Sequence, residues 1–188
     1  KESGHDMSKC RLPRLRTAEW RGFVFLNFSE EAEPFEDFIA PYEEPYAWFR
    51  AGEVVTARKL VMDIPCNWKF IAENLLDWYH ARVIHAGTFG KFYKIGGDQL
   101  PVDLLPGGAS NLVWDSSSRS LDTNLPFPQL PWLADGEVFS AKGAMFPNMN
   151  FMSATDSMRM WTLWPVTAQS CRAVVHILLP ERSLDVPE

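Results

Sequence analysis

The chain has little cysteine, no cysteine pair at metal or redox spacing, no long apolar run and no excess of positive charge. Each absence removes a class of protein. Its three cysteines, Cys10, Cys66 and Cys171, show neither C-x-x-C nor C-x-H spacing, which argues against a disulfide framework and against a zinc site. Each is expected to be a small buried hydrophobe, and a reducing cytoplasm is the simplest location. No stretch reaches the roughly 18 uninterrupted apolar residues of a membrane span, and the opening KESGHDMSKC lacks a signal-peptide pattern. A formal charge of -6 without a basic cluster argues against a nucleic-acid surface. No internal repeat is visible. The chain starts on Lys1 instead of Met, and we expect it to begin partway through a longer protein.

What is present is material for one sizeable core. Hydrophobic residues make up 46% and aromatic residues 13% of 188 residues, with eight tryptophans, a composition that folds. WRGFVFLNF, from Trp20 to Phe28, alternates apolar residues and is expected to be a strand. The acidic, proline-punctuated stretch after it suggests a linker ending in a short helix whose apolar face is Phe35, Phe38 and Ile39. EVVTARKLVMDIPCNWK predicts a long strand limited by Pro65. Residues from Trp68 to His85 contain no Gly or Pro and predict a helix, with Gly87 as its stop. Gly96, Gly97, Pro101, Pro106, Gly107 and Gly108 mark a loop-rich insertion.

Strands follow. SNLVWDSSSRSL and GAMFPNMNFMSAT are one candidate each, and MRMWTLWPV with CRAVVHILLP predicts a hairpin around Thr167 to Ser170. PFPQLPWL is expected to cross the core as a rigid proline-rich loop. A long strand, a helix and several antiparallel strands together suggest an α+β domain in which a curved sheet grips a helix.

Within NWKFIAENLLDWYHARVIH, Asp77, His80 and His85 stand at D-x-x-H-x-x-x-x-H spacing. Two imidazoles with a nearby carboxylate suit a mononuclear iron site that keeps positions open for oxygen. Asp77 and His80, three apart, share one helix face with Asn74 one turn earlier. His85 would point about 140° away on a regular helix of 3.6 residues per turn. The two histidines therefore meet one ion only if the helix bends, widens or ends between them. A ligating histidine also needs an acceptor for its other ring nitrogen, which Asn74 or Asp77 can supply.

The run NWK, EN, D-x-Y-H and then x-x-x-x-H-x-G-T resembles the catalytic-domain signature of the Rieske-type non-haem iron oxygenases, the ring-hydroxylating α-subunit family. LPRLRTAEWRGFVFLNF is similar to the end of that family's Rieske domain, and WTLWPV with CRAVVHILLP to its paired sheet strands. The resemblance implies a helix-grip (START/Bet v 1-like) α+β catalytic domain with an antiparallel sheet, preceded by the last strands of a Rieske β domain. It implies the end of the Rieske domain at 1–30, a linker at 31–45 and an incomplete catalytic domain at 46–188. It further implies that His80 and His85 hold mononuclear Fe(II), that Asp77 bridges to a Rieske 2Fe–2S cluster in a neighbouring subunit, and that electrons come from NAD(P)H through a reductase and often a ferredoxin. With O2 as oxidant, a small organic, commonly aromatic, substrate would be hydroxylated or oxidatively demethylated in a homotrimer or α3β3 assembly.

This sequence departs from the family pattern in two places: the C-x-H and C-x-x-H cluster ligands and the third, aspartate, iron ligand are missing from it. Asp156 and Asp185 have nothing near them that resembles the ligand segment, and we expect the fragment alone to bind iron poorly. Leu75, Leu76, Ala81, Trp114, Phe146, Phe151 and Met160 are the apolar candidates for a substrate pocket, each with ordinary core packing as its competing role. Trp161 and Trp164, three apart in a strand, face opposite ways, so at most one lines a cavity. His176, in an apolar strand, is expected to be a satisfied core histidine. Arg82 is expected to pair with a surface acid. Two other functions compete: a hydrophobic-ligand carrier on the same architecture, which has no reason to place three metal-type residues at this spacing, and a zinc hydrolase, which no H-E-x-x-H supports.

Overall fold

The computed structural model describes residues 14–77, 79–88, 103–113, 127–138 and 140–185, with backbone alone at 79, 81, 82 and 111–113. The chain opens with β1 (Arg16–Trp20) and β2 (Phe23–Asn27). Trp20 to Phe28, expected as a single strand, instead runs from the last residue of β1 through the turn and along β2. Arg21 and Gly22 turn the chain with φ of 50° and 85°, both positive as the tight primed hairpin turn requires. Helix α1 (Phe35–Glu43) follows and buries Ile39 and Tyr42.

All other strands among the described residues form one antiparallel sheet: β3 (Val55–Ile64), β4 (Asp103–Leu105), β5 (Gly108–Val113), β6 (Ser140–Met145), β7 (Met149–Ser153), β8 (Met158–Thr167) and β9 (Ser170–Leu179), in the order β3-β9-β8-β7-β6-β5-β4. β3 stops before Pro65, which has no N–H for a ladder. β8 and β9 pair around Ala168 and Gln169, with Thr167 opposite Ser170, as the sequence predicts. Two expectations need correction. GAMFPNMNFMSAT is not one strand, because Phe146, Pro147 and Asn148 turn it into the β6–β7 hairpin. Pro106 and Gly107, placed in a loop, instead close the β4–β5 hairpin; the part of that insertion at 89–102 lies outside the described residues.

The sheet has two working faces. On one, Tyr42, Tyr46 and Phe49 pack with Ala141, Met145, Phe151, Met158, Met160 and Leu178, and Trp20 joins the same core. Burying each Phe or Met there contributes about 1.5–3 kcal/mol. Tyr46 is fully buried, its hydroxyl 2.6 Å from the carbonyl of Ala109 and 2.7 Å from that of Ala144. The approach is tight enough that a Cβ on Gly143 would lie 2.2 Å from the Tyr46 ring, so glycine is required there. The loop around Leu130 crosses the core as expected: Leu130 is buried in it, with Trp132 and Leu133 packed alongside.

The opposite face of β8 and β9 buries Leu163, Cys171, Ala173 and Val175. Helix α2 (Trp68–Leu76) packs against β6, β8 and β9 and covers this side. The result is the α+β architecture with a helix held against an antiparallel sheet. No described helix is long and apolar enough to cross a membrane.

Candidate metal centre

Asn67 starts α2 by accepting a hydrogen bond from the Lys69 N–H at 3.0 Å, and its amide donates to the Ala168 carbonyl at 2.9 Å. The first bond satisfies one of the four orphan N–H groups of a helix start. The second pins that start to the β8–β9 turn. Helix and sheet thereby acquire a fixed relation before the site begins.

The expected continuous helix from Trp68 to His85 is two helices. α2 ends where Asp77 adopts an extended conformation, φ -71° and ψ 120°, and α3 (Tyr79–Ile84) follows. Asp77 serves both. Its N–H still donates to the Glu73 carbonyl at 2.9 Å, closing α2. Its Oδ2 accepts from the His80 N–H at 3.2 Å and lies 2.9 Å from His80 Nδ1. A short acidic side chain three residues ahead of the N–H it binds is the usual helix-start arrangement, and here it also grips the imidazole.

α3 ends at Ile84, and His85 lies in the turn beyond it, its carbonyl accepting from the Thr88 N–H at 2.9 Å. The helix therefore ends between the two histidines, the condition the spacing imposed. Their ring centroids are 5.6 Å apart at 69°. With N–metal distances of about 2.1 Å, imidazoles bound 90–120° apart on one ion place their centroids roughly 4.6–5.6 Å apart, and the observed pair sits at the wide end of that window. The Asp77 carboxylate engages Nδ1 of His80 as proton acceptor, which leaves the Nε2 lone pair for an ion. Two imidazoles are a donor set that fits a divalent iron. Among the described residues no three His, Cys, Asp or Glu side chains are gathered to hold a metal; the candidate ligands brought together are the two imidazoles, and the Asp77 carboxylate is engaged by Nδ1 of His80.

The remaining candidates divide. Asn74 is exposed on α2 and Asp77, not Asn74, holds the His80 ring; Leu75 and Leu76 are half-buried near the end of α2. Phe146 is 60% exposed in the β6–β7 turn, 5.8 Å from the Trp68 ring. Phe151 and Met160 belong to the core on the α1 face. They leave the pocket candidates, because side chains alternate along a strand and these two point away from α2. Ala81 lies in α3, and Trp114 lies outside the described residues.

Asp156 is buried and accepts from the Ser157 hydroxyl at 3.0 Å. His176 is half-buried, opposite Lys59 and Met160 in the register, instead of sealed in the core. Burial and then Lys59 hold its pKa below the usual histidine value. Trp161 and Trp164 do face opposite ways, with Trp164 on the α1 face and 52% exposed. Cys171 is buried, Cys66 half-buried, and both are free thiols.

Asn150, Lys142 and Trp161 escape a motif search. Asn150 and Lys142 are buried polar residues in the middle of strands, and the register puts all three on the α2 face. The sequence signal was a polar residue standing at an interior strand position.

Comparison with known proteins gives the family and the fold. The salicylate 5-hydroxylase large oxygenase component of Ralstonia sp is 34% identical over 100 residues, 49% of this chain and 23% of that protein. The carnitine monooxygenase oxygenase subunit of Acinetobacter pittii is 32% identical over 84 residues, 44% of this chain and 23% of that protein. The chain thus spans about 23% of the length of these relatives. A solved structure of the quaternary ammonium Rieske monooxygenase CntA with an inhibitor superposes with a TM-score of 0.73 at 19% identity, over 97% of this chain and 47% of the other. Naphthalene 1,2-dioxygenase from Rhodococcus sp. bound to indole gives 0.63 at 16% identity, over 92% and 46%. Residues 51–188 match the family described as ring hydroxylating alpha subunit (catalytic domain), and the chain belongs to that family.

Proposed function

We propose that the complete protein is the oxygenase component of a Rieske non-haem iron oxygenase, in which residues 1–30 close the cluster domain, 31–45 link the domains and 46–188 begin the catalytic domain. The observation that carries the reading is the Asp77–His80–His85 arrangement: a helix broken at Asp77 and ended at Ile84 so that two imidazoles converge. His80 and His85 would hold mononuclear iron(II), with the third ligand supplied from beyond this stretch. Bound iron would supply the oxygen-activating chemistry that protein side chains lack.

This chain's own residues orient and exclude. Asp77 fixes the His80 ring through Nδ1, and its side chain is 49% exposed, open enough to meet a cluster histidine of a neighbouring subunit. The α2 face of the sheet supplies a largely apolar wall. Relatives named for salicylate and for carnitine support an organic substrate that is hydroxylated or oxidatively demethylated, with electrons arriving through a reductase or ferredoxin.

Anaerobic iron(II) loading of the full-length protein followed by metal analysis tests the reading. Iron beyond the cluster's content, lost in both His80→Ala and His85→Ala, is the expected result. Near-stoichiometric zinc with no iron-dependent oxygen uptake would overturn it.

A further inference from the structure

Asn150 and Trp161 sit directly opposite each other on β7 and β8, on the sheet face that α2 covers. Cross-strand neighbours of this kind hold their Cβ atoms about 4.5–5.5 Å apart. Asn150 is 2% exposed. Its amide nitrogen and the Trp161 indole nitrogen are both buried and, among the described residues, have no hydrogen-bond partner. Buried donors are nearly always paired, so two adjacent ones left open on one face require an explanation. The others of this kind, on Arg21, Trp48, Trp132 and Ser183, lie on separate elements.

The chemistry of the missing partner follows from the donors. An indole N–H can only donate, so the partner presents an acceptor. Lys142 stands on the same face one row along, opposite Met152, and Met152 in turn is opposite Arg159. The described strand positions of this face carry Lys142, Arg159 and, farther across the sheet, Arg58 opposite Ile177, and no acidic residue, so the acceptor that fits is an anionic oxygen. Lys142 has interactions of its own, and the subsite does not depend on its ammonium. α2, which packs against β6 and β8, runs through Asp77 into the histidine pair, so this face and the candidate metal centre adjoin the same helix.

We propose that Asn150 and Trp161 form a recognition subsite for the carboxylate of the substrate, a specificity determinant that selects an organic acid over its neutral analogue. The proposal rests on the oxygenase reading above for the claim that the bound molecule is a substrate. The donors do not touch the reacting centre; they set which end of the molecule faces it.

The test is binding, read without turnover. Fluorine NMR of the full-length protein is titrated with 4-fluorobenzoate and, separately, with 4-fluorotoluene. The expected result is that 4-fluorobenzoate binds the more tightly, and that Asn150→Leu and Trp161→Phe each weaken it about tenfold or more, the loss of a hydrogen bond to a charged group, while 4-fluorotoluene binding changes less than about twofold. Asn150→Leu removes a buried donor that has no partner, so the urea midpoint of the ligand-free protein should stay level or rise. Failure of 4-fluorobenzoate to bind, equal losses for both probes, or a marked drop in the ligand-free midpoint of Asn150→Leu would each overturn the subsite. Iron content, measured on the same samples, is independent of these results: its absence would remove the oxygenase reading and leave a carboxylate-binding wall.

Discussion

Under the proposed assignment of His80 and His85 as iron ligands, removing the Asp77 carboxylate should loosen the iron centre without touching a ligand, and two substitutions separate its duties. In the structure Oδ2 takes two bonds, one from the His80 backbone N–H at 3.2 Å and one with Nδ1 at 2.9 Å. Asp77→Asn keeps an amide oxygen for the backbone N–H but offers Nδ1 a neutral acceptor, and charge-assisted bonds are about twice as strong as neutral ones. Asp77→Ala removes both bonds. Loss of the helix-start bond costs about 1 kcal/mol of stability. Freeing the His80 ring costs about 10–100-fold in metal affinity, which is roughly 1.4–2.8 kcal/mol.

The assay is competitive iron(II) titration of the full-length protein against a chelator, with a urea midpoint recorded for each variant. Alanine should weaken iron by that factor and lower the midpoint. Asparagine should hold the midpoint, lose less iron affinity, and still slow turnover sharply if Asp77 also bridges to the cluster. Wild-type iron affinity in Asp77→Ala, alongside complete loss in His80→Ala, would refute the orienting role. Wild-type turnover in Asp77→Asn would refute the bridge.

Two further outcomes follow from the sheet. Tyr46→Phe strips a buried hydroxyl lying between the Ala109 and Ala144 carbonyls; the unpaired acceptors should cost about 1–3 kcal/mol in urea denaturation, and a loss below about 0.5 kcal/mol would show that the hydroxyl is dispensable. Burial and Lys59 depress the His176 pKa below 6.5, so the unfolded chain takes up the proton first. Its contribution to stability is therefore full above pH 6.5 and declines as pH falls from that value to the folded pKa. His176→Gln should flatten the fall in stability below pH 6.5, and an unchanged profile would place the titration elsewhere.

The strands and helices that the sequence placed correctly are those with a local cause. β3 ends at a proline that cannot donate, β8 and β9 turn where Thr167, Gln169 and Ser170 interrupt two apolar runs, and Asn67 announces the helix start by its own side chain. Turns were harder. Phe146–Asn148 lies inside an apolar stretch, and nothing local distinguishes a hairpin there from a continuous strand; the pairing partners decide it. Two of the pocket candidates were hard to place for a related reason. Phe151 and Met160 are apolar like their neighbours, and only the register shows that they face α1 rather than α2.

By itself the sequence determined the chemistry available. It set two imidazoles and a carboxylate at a spacing no regular helix can converge, and so required a break. Tertiary structure decided where the break falls and what each group does. A backbone N–H must find an acceptor at a helix start, and Asp77 meets that need for α3 while holding the His80 ring, so the nearest carboxylate is engaged by the helix start and by one imidazole together. Only the assembled sheet brings Asn150 and Trp161 side by side, because cross-strand neighbours are set by register and not by distance along the chain.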